Sequence, residues 1–550
     1  MTALASDTAT NKTPRFRSAP PGATAASFVL FGALAALFGM IYIGSEWWNL
    51  AGGLGFPSDA AWARAVFARN LASGEGLCFN RGAPVAGVAG FSWIALLAVI
   101  GFFSGKFLIV TKVLGILCSI LTAYLVWHIT LNLLGDWRFA FIAGLLVAVS
   151  HRLTVQSIGG TEGALGALAV TAAIHWQAVG WDGTNTQRAF ASVAAGLAAL
   201  SRPELLVLLP LLLADRWLIS LAHDSTGERL RGGVLRSLPE IGGAFAVVAP
   251  YLVFNHHVGG PLWQQPEMAL RSAGAWSWAA ATLNALWYDN PVVYIAALLG
   301  IPVAAVSALR RRSEHPSLLV ILIPIAVVLS TTLFRRGAAV DNALLTAAHL
   351  TPLLSVLGAA GLFLLHRAVS QMLSRSKARS HRIALAALIA VGSVSAFVFP
   401  IFRHPDVWHD YGFQVKKVSD LQGFIGRWAA DHLPADASIA SREVGAIGFF
   451  SQKRMVDLGG TISQEGIEYL SRPGSPDSHL LDYIQKTRPS HLAIRPGDFP
   501  DLAMRPDLLT PAVTCVVTDP ISGGVTTMAL YETPWPPLSV IDARAQVGRR

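Results

Sequence analysis

The chain has 550 residues, of which 53% are hydrophobic and only 14% are charged, whereas an ordinary soluble domain has about 25% charged residues. This composition excludes a soluble enzyme. The net charge is +9, but the basic residues form short clusters between apolar segments rather than a continuous stripe, which argues against nucleic-acid binding. Cys78, Cys118 and Cys515 are too few and too scattered for a disulfide framework or a thiolate metal site.

The amino-terminal tail, residues 1–26, has no short apolar core followed by a cleavage site, so we expect a cytoplasmic tail before an uncleaved helix. Residues 27–402 then contain repeated apolar segments near the ~20 residues that cross a bilayer, which predicts a membrane catalytic domain of about 11 transmembrane helices. The predicted spans are 27–45, 108–134, 139–155, 163–179, 189–201, 204–217, 239–255, 291–309, 317–334, 344–365 and 383–401.

Segment 91–104 is short for a span, and we interpret it as a re-entrant or juxtamembrane helix within the first outer loop, residues 46–107. The alternative counts this segment as a span and joins 189–217 into one helix. Arg202 and Pro203 argue against that alternative, because a residue before proline disfavours helix and proline suits the first turn of a new one. The sequence therefore favours two half-helices.

Four basic clusters fall on one side of the predicted spans. Because Lys and Arg concentrate in cytoplasmic loops, this side is predicted to be cytoplasmic, as is the amino terminus. The protein is then a multi-pass protein of the inner (plasma) membrane with residues 403–550 outside the cytoplasm. The clusters are Lys12/Arg15/Arg17, Arg229/Arg231/Arg236, Arg310/Arg311/Arg312 and Arg375/Lys377/Arg379/Arg382.

Residues 403–550 combine helix and strand patterns, which predicts a soluble, extracytoplasmic α/β domain. Helical spacing runs from Val418 to His432. No nucleotide-binding fingerprint is present, because Gly445 and Gly448 lack a third glycine at the required spacing. The predicted strands are 437–441, 453–458, 491–496, 512–517 and 524–533.

The first outer loop contains the most informative candidate, Asp59. Ser58 is a predicted helix N-cap, and the helix ends near Gly74. Asp59 could simply complement the positive helix N-terminus, worth about 0.3–1 kcal/mol. A carboxylate just outside the bilayer is also where a general base for a lipid-borne substrate would lie.

Motifs along most of the chain resemble those of polytopic glycosyltransferases of the GT-C fold. Within this class, the motifs resemble those of bacterial arabinofuranosyltransferase-like and mannosyltransferase-like proteins, which use polyprenyl-phosphate sugars. The motifs are Asp59-Ala60, Ala68-Arg69-Asn70-Leu71-Ala72, Phe79-Asn80, Gly160-Thr161-Glu162, Ser201-Arg202-Pro203-Glu204, Val444-Gly445-Ala446-Ile447-Gly448-Phe449-Phe450 and Asp457-Leu458-Gly459-Gly460.

The chain departs from the family pattern at three places. Ser58-Asp59 matches only one of two acidic positions, so a paired-carboxylate metal site is not expected. Ala86-Gly87 replaces an acidic residue, and Ala348-His349-Leu350-Thr351-Pro352 replaces an Arg-Tyr-Leu-x-x-Pro type motif. Substrate or linkage is expected to differ accordingly.

The resemblance implies transfer of a sugar from a polyprenyl-phosphate donor to an envelope glycan, lipid or protein, with Asp59 as the base. No cofactor and no metal-ligand set are assigned, and dependence on a divalent metal stays open. Arginines on the predicted outer side are candidates for binding the donor phosphate, because guanidinium groups suit phosphate oxygens. These candidates are Arg69, Arg202, Arg335 and Arg336, with Glu162 and Glu204 as supporting acidic residues.

A transporter or flippase of a lipid-linked or envelope precursor is the alternative function. Such a protein is expected to have repeated halves and polar residues near the bilayer midplane. Here no repeat is visible, the charged candidates gather at outer helix ends, and about 150 residues follow the last span. These features favour the enzyme.

Overall fold

A computed structural model describes residues 22–179, 184–223, 229–264, 275–310, 317–334, 343–375, 394, 406–470, 472, 474–518 and 523–535. The described residues before 376 are mostly helical. Its helices are α1 (Ala23–Asn49), α2 (Asp59–Ala72), α3 (Phe91–Ser104), α4 (Phe107–Leu134), α5 (Trp137–Ala148), α6 (His151–Ile158), α7 (Gly163–Val179), α8 (Asn185–Ser201), α9 (Leu208–His223), α10 (Arg229–Val258), α11 (Ala275–Asp289), α12 (Pro291–Arg310), α13 (Ser317–Phe334) and α14 (Ala343–Arg375).

Four stretches of the described helices are long and apolar enough to cross a membrane: Ala23–Asn49, Phe107–Leu134, Ser237–Val258 and Ala347–Gln371. The number becomes six if each of two bent pairs, α5 with α6 and α11 with α12, counts as one span. These pairs bend by 48° and 111°. Several candidate spans make this a multi-pass membrane protein by length and composition. The count of eleven stays a prediction, and its last span, 383–401, lies outside the described residues.

The chain breaks at Arg202, as the residues there predict. Helix α8 ends at Ser201, and Arg202 is extended, with φ −146° and ψ 132°. Pro203 then opens a 3-10 turn, Pro203–Val207, before α9 begins. Proline has no N–H to donate to the preceding turn and disfavours helical geometry in the residue before it. Both effects explain why the helix ends before Arg202.

Helix α3 corresponds to the apolar segment predicted to be re-entrant or juxtamembrane. It has 14 residues and lies between Gly90 and Gly105, both in left-handed backbone conformations. At 1.5 Å per residue it is about 21 Å long, shorter than the ~30 Å hydrocarbon core. Its length therefore fits the short-helix interpretation better than a full span.

A mixed five-stranded sheet forms the core of the carboxy-terminal region, and every predicted strand is present. The strand order is β2-β1-β3-β5-β4, with β1 parallel to β2 and β3 and the pairs β3–β5 and β4–β5 antiparallel. The elements are α15 (Val407–Val418), a π turn (Ser419–Gly423), α16 (Phe424–His432), β1 (Ser438–Ser441), α17 (Val444–Ser451), β2 (Arg454–Asp457), α18 (Gln464–Leu470), α19 (Pro476–Thr487), β3 (His491–Ile494), α20 (Pro500–Ala503), β4 (Thr510–Thr518) and β5 (Val525–Glu532).

Helix α15 joins the carboxy-terminal region to the helical part. The Tyr411 ring lies edge-on to Tyr42 of α1, with centroids 5.6 Å apart. The Tyr411 hydroxyl donates to the carbonyl oxygen of Ile158, at 3.2 Å. Gly412 allows close approach, because a Cβ there would lie 2.1 Å from Oγ of Ser45. The two regions are therefore in direct contact.

Candidate functional site

Helix α2 forms the centre of the first loop. It begins at a Ser58 N-cap, whose hydroxyl accepts the N–H of Ala61 at 3.4 Å. It ends before Gly74, whose φ of 84° suits glycine. Nine of its 14 residues are buried, although alanine and charged residues make up much of its sequence. A helix buried all round must contact neighbours on more than one face.

A buried ion pair fixes the chain just before α2. The ammonium group of Lys112 in α4 lies 2.6 Å from Oε1 of Glu46 in α1. It also donates to the carbonyl oxygens of Gly55 and Ile158, at 3.0 and 3.1 Å. These bonds satisfy a charge that would otherwise be costly to bury. They hold the start of the first loop against α4 and α6.

The Asp59 side chain binds the amino terminus of α17. Its two carboxylate oxygens accept the N–H groups of Gly445 and Ala446, each at 2.9 Å. Gly445 permits this contact, because a Cβ there would lie only 2.0 Å from the carbonyl oxygen of Asp59. A carboxylate at a helix amino terminus is stabilised by unpaired N–H groups and by the helix dipole.

Arg69, ten residues further along α2, binds the other end of α17. Its guanidinium donates to the carbonyl oxygen of Phe449 at 3.0 Å and lies 5.1 Å from the centroid of the Phe449 ring. Between Asp59 and Arg69, the Trp62 ring packs against Phe449 and Phe450, with centroids 4.8 and 4.9 Å apart. The acidic and basic residues thus complement the two ends of the α17 dipole. We call this contact the α2–α17 interface.

Arg64 lies in a buried cluster with Glu162 and Arg202. Nε and Nη2 of Arg64 donate to the two Glu162 carboxylate oxygens, at 2.8 and 3.4 Å. Nε of Arg202 lies 3.1 Å from Oε1 of Glu162. The exposed fraction of the side chain is 7% for Arg64, 4% for Arg202 and zero for Glu162. Two guanidinium groups therefore share one fully buried carboxylate.

The surroundings of Glu162 keep it ionised. Glu162 lies in the loop between α6 and α7, outside the candidate spans. Burial favours the neutral acid, but the charges of Arg64 and Arg202 outweigh it and lower the pKa of Glu162 to about 2. At neutral pH the cluster consequently contains a carboxylate and two cations in fixed positions.

A cavity of about 440 Å³ lies beside this cluster, with Arg64 in its wall. Its size is within the range of small-molecule sites. The first loop, the end of α10 and the carboxy-terminal region all contribute to the lining, which does not include Asp59 or Arg69. The main lining segments are 83–89, 258–261 and 460–463.

Asp457 shapes the carboxy-terminal wall of the cavity. Its carboxylate accepts the N–H groups of Gly459, Gly460, Ile462 and Ser463, at 2.5–3.0 Å. Burial raises its pKa, while these four donors act in the opposite direction. The loop that follows β2, residues 458–463, is thus folded around one carboxylate.

Asn80 ties this wall to the first loop. Its side-chain amide donates to the carbonyl oxygen of Met455 at 2.9 Å and accepts the N–H of Met455 at 2.8 Å. These two hydrogen bonds resemble the bonds that a neighbouring strand would make with the backbone of β2. The Phe-Asn motif of the first loop therefore aligns the two walls of the cavity.

The structure separates the residues that the sequence analysis selected. Asp59 and Arg69 lie in the α2–α17 interface, whereas Glu162 and Arg202 lie in the buried cluster. Glu204 is fully buried in the 3-10 turn, where its carbonyl oxygen accepts the Ser330 hydroxyl at 2.8 Å. The pair Arg335 and Arg336 lies outside the described residues.

Sequence reasoning missed Arg64, the arginine that lines the cavity. A usable signal was present, since Arg64 lies one turn from Ala60 and Phe67 and so places a cation on an apolar face of the helix. Its partner Glu162 is 98 positions away, so the pairing itself could not be seen. Within the described ranges, no group of three or more His, Cys, Asp or Glu side chains could hold a metal ion.

Solved structures of membrane glycosyltransferases share this fold at low sequence identity. The Archaeoglobus fulgidus oligosaccharyltransferase in the apo form aligns with a TM-score of 0.61 and 13% identity, over 92% of this chain and 74% of its own. ArnT from Cupriavidus metallidurans bound to undecaprenyl phosphate aligns with a TM-score of 0.58 and 14% identity, over 91% of this chain and 97% of its own. The fold is therefore GT-C-like.

A third structure, AglB from Archaeoglobus fulgidus in complex with an inhibitory peptide and a dolichol-phosphate, aligns with a TM-score of 0.56 and 12% identity. The alignment covers 93% of this chain and 75% of the AglB chain. Residues 412–535 match a family described as a domain of unknown function, DUF8728. No curated protein matches the sequence.

Proposed function

We propose that this protein is a membrane glycosyltransferase that transfers a sugar from a polyprenyl-phosphate donor to a cell-envelope acceptor on the outer face of the membrane. The observation that carries the proposal is the buried Arg64–Glu162–Arg202 cluster in a GT-C-like fold, with Arg64 in the wall of a cavity. Structures of similar fold contain dolichol-phosphate or undecaprenyl phosphate. The acceptor is a glycan, lipid or protein.

Arg64 is the residue we assign to the donor phosphate, with Arg202 behind it. In the reaction the acceptor oxygen bonds to the anomeric carbon, and the bond from that carbon to the phosphate oxygen breaks. The electron pair leaves with the lipid phosphate, whose negative charge grows. Fixed guanidinium groups in a buried site stabilise such a charge strongly, because no solvent has to reorganise.

Asp59 is the proposed base, which accepts the proton of the acceptor hydroxyl. In the described conformation its oxygens accept two backbone N–H groups of α17. Each carboxylate oxygen can accept more than one hydrogen bond, but Asp59 does not line the cavity. The proposed role therefore requires the acceptor to approach at the α2–α17 interface, or that interface to rearrange.

The test is transfer of radiolabelled sugar from undecaprenyl-phosphate sugars to envelope acceptors by the purified full chain. We expect Asp59→Asn to abolish turnover. Phe450→Leu is the matched control, because it weakens the same interface through the Trp62 contact without touching a carboxylate. We expect this control to retain turnover.

Equal losses of turnover in Asp59→Asn and Phe450→Leu would assign Asp59 to the interface and remove it as the base. Retention of turnover in both variants would also remove Asp59 as the base. Failure of the wild-type protein to transfer from any donor, together with failure to bind undecaprenyl phosphate, would contradict the proposed reaction.

A further inference from the structure

The carboxy-terminal wall of the cavity has no role in the chemistry proposed above. This wall is formed by Gly460, Thr461, Ile462 and Ser463, which line the same cavity as Arg64. Thr461 is half-buried there. The cavity lining therefore combines a hydroxyl-bearing residue with the cationic residue Arg64.

The loop that carries Thr461 is held rigidly. The four N–H bonds to Asp457 fix residues 459–463, and Asp457 is 3% exposed. Gly459 packs against the preceding segment, because a Cβ there would lie 2.6 Å from the carbonyl oxygen of Arg442. A preorganised polar group loses little conformational entropy when it binds a ligand.

The chemistry of a lipid-phosphate sugar places two groups side by side. Its anomeric carbon is bonded directly to a phosphate oxygen, so the sugar ring lies next to the phosphate. A cavity in which Arg64 contacts the phosphate therefore also receives the ring. Hydroxyl groups on a rigid loop can bind ring hydroxyls, and a site built for such bonds discriminates against ligands that lack them.

We propose that the loop of residues 458–463 recognises the sugar of the donor, with Thr461 as a contact and Asp457 as a positioning residue. This inference rests on the proposed function. It assigns sugar selection to the carboxy-terminal region, and phosphate binding to α2 of the helical part.

The experiment compares the binding of two kinds of probe to the purified full chain. One probe is undecaprenyl phosphate, and the others are undecaprenyl-phosphate-linked hexoses and pentoses. We expect the wild-type protein to prefer at least one sugar-linked lipid over the bare lipid phosphate. Thr461→Val should reduce this preference about fivefold to tenfold, the effect of one lost hydrogen bond, while the affinity for bare lipid phosphate stays unchanged.

Thr461→Ser keeps the hydroxyl and should keep the preference. Asp457→Asn replaces one acceptor oxygen with a donor group, so the loop loses part of its N–H bonding. It should also reduce the preference without reducing affinity for the bare lipid. Thr514→Val on β4, an exposed threonine outside the cavity lining, is the matched control and should behave as wild type.

The outcomes separate the inference from the function on which it rests. Binding of bare undecaprenyl phosphate with no preference for any sugar-linked lipid would overturn the loop assignment and leave the donor class intact. A preference that survives Thr461→Val and Asp457→Asn would also overturn it. If the wild-type protein binds none of these lipids, the proposed function and the inference both fail.

Discussion

Two faces of one helix, α2, serve two different parts of the molecule. One face carries Asp59 and Arg69, which bind the two ends of α17 in the carboxy-terminal region. The other carries Arg64, which pairs with Glu162 and lines the cavity. The first face uses charge to bind backbone groups. The second keeps a cation buried beside a space that a ligand can enter.

This difference shows why a conspicuous residue need not be the one at the cavity. Asp59 stands out in the sequence because it opens a helix in the first loop, yet its oxygens are engaged by backbone N–H groups. Arg64 lies in the middle of the same helix, away from its ends, yet this residue lines the cavity. Arg64 differs from the buried Lys112–Glu46 pair, which holds the chain in place, because Arg64 also lines a cavity.

The largest expected effect comes from the cavity face. Glu162→Gln leaves Arg64 and Arg202 buried without their shared carboxylate. Breaking a buried ion pair in this way costs about 3–5 kcal/mol. Denaturant unfolding of the purified protein should show this loss, and Glu75→Gln, an exposed carboxylate of the same loop, should not. An unchanged stability of Glu162→Gln would mean that the cluster does not exist as described.

The pairing of Glu162 with Arg64 and Arg202 also predicts that stability depends on pH. The pKa of Glu162 is about 2 in the folded protein, against 4.5 for the ordinary group. The folded state therefore binds fewer protons, and the stabilisation is complete above pH 4.5 and lost as the pH falls through 2. The gap in unfolding free energy between wild type and Glu162→Gln should shrink by about 3 kcal/mol over this window. A gap that stays constant down to pH 2 would contradict the assignment.

Local sequence rules predicted the parts of the fold that depend on neighbouring residues. The strands of the carboxy-terminal sheet follow from alternation and β-branched residues, and the break at Arg202 follows from the proline after it. The number of spans was harder to predict. The segment predicted as one span, 139–155, bends by 48° between α5 and α6. The bend lies at Ser150, whose hydroxyl accepts the N–H of Leu153 and so begins a new helix.

The candidate site could be predicted only in part, because its contacts join distant residues. Asp59 and Gly445 were both singled out, but they are 386 positions apart, and their hydrogen bond is visible only in three dimensions. The spacing of Gly445 and Gly448 excludes a nucleotide-binding fingerprint but does not indicate what Gly445 does. Its structural role is instead to let α17 approach α2 closely, a requirement set by the partner helix and not by the glycine's own neighbours.

Gly445→Ala tests the α2–α17 interface and is expected to have a smaller effect on stability. The added Cβ would lie 2.0 Å from the carbonyl oxygen of Asp59, so α17 must move away from α2. Overpacking of this kind typically costs about 1–3 kcal/mol. Hydrogen exchange of the α17 amides should become faster. Gly497→Ala is the matched control, since nothing lies within 4 Å of its added Cβ. If both variants exchange alike, the tight contact at Gly445 is not required.

Arg69→Gln should have the smallest effect on stability, and it best distinguishes the roles of the two faces of α2. It removes a charge from the carboxy-terminal end of α17, where such an interaction contributes about 0.3–1 kcal/mol. We expect slightly faster exchange of the α17 amides and unchanged affinity for undecaprenyl phosphate. Arg505→Gln, at an exposed pair with Asp507, controls for loss of charge alone. Weakened binding of undecaprenyl phosphate with unchanged α17 exchange would instead return Arg69 to the donor site, and the separation of the two faces would fail.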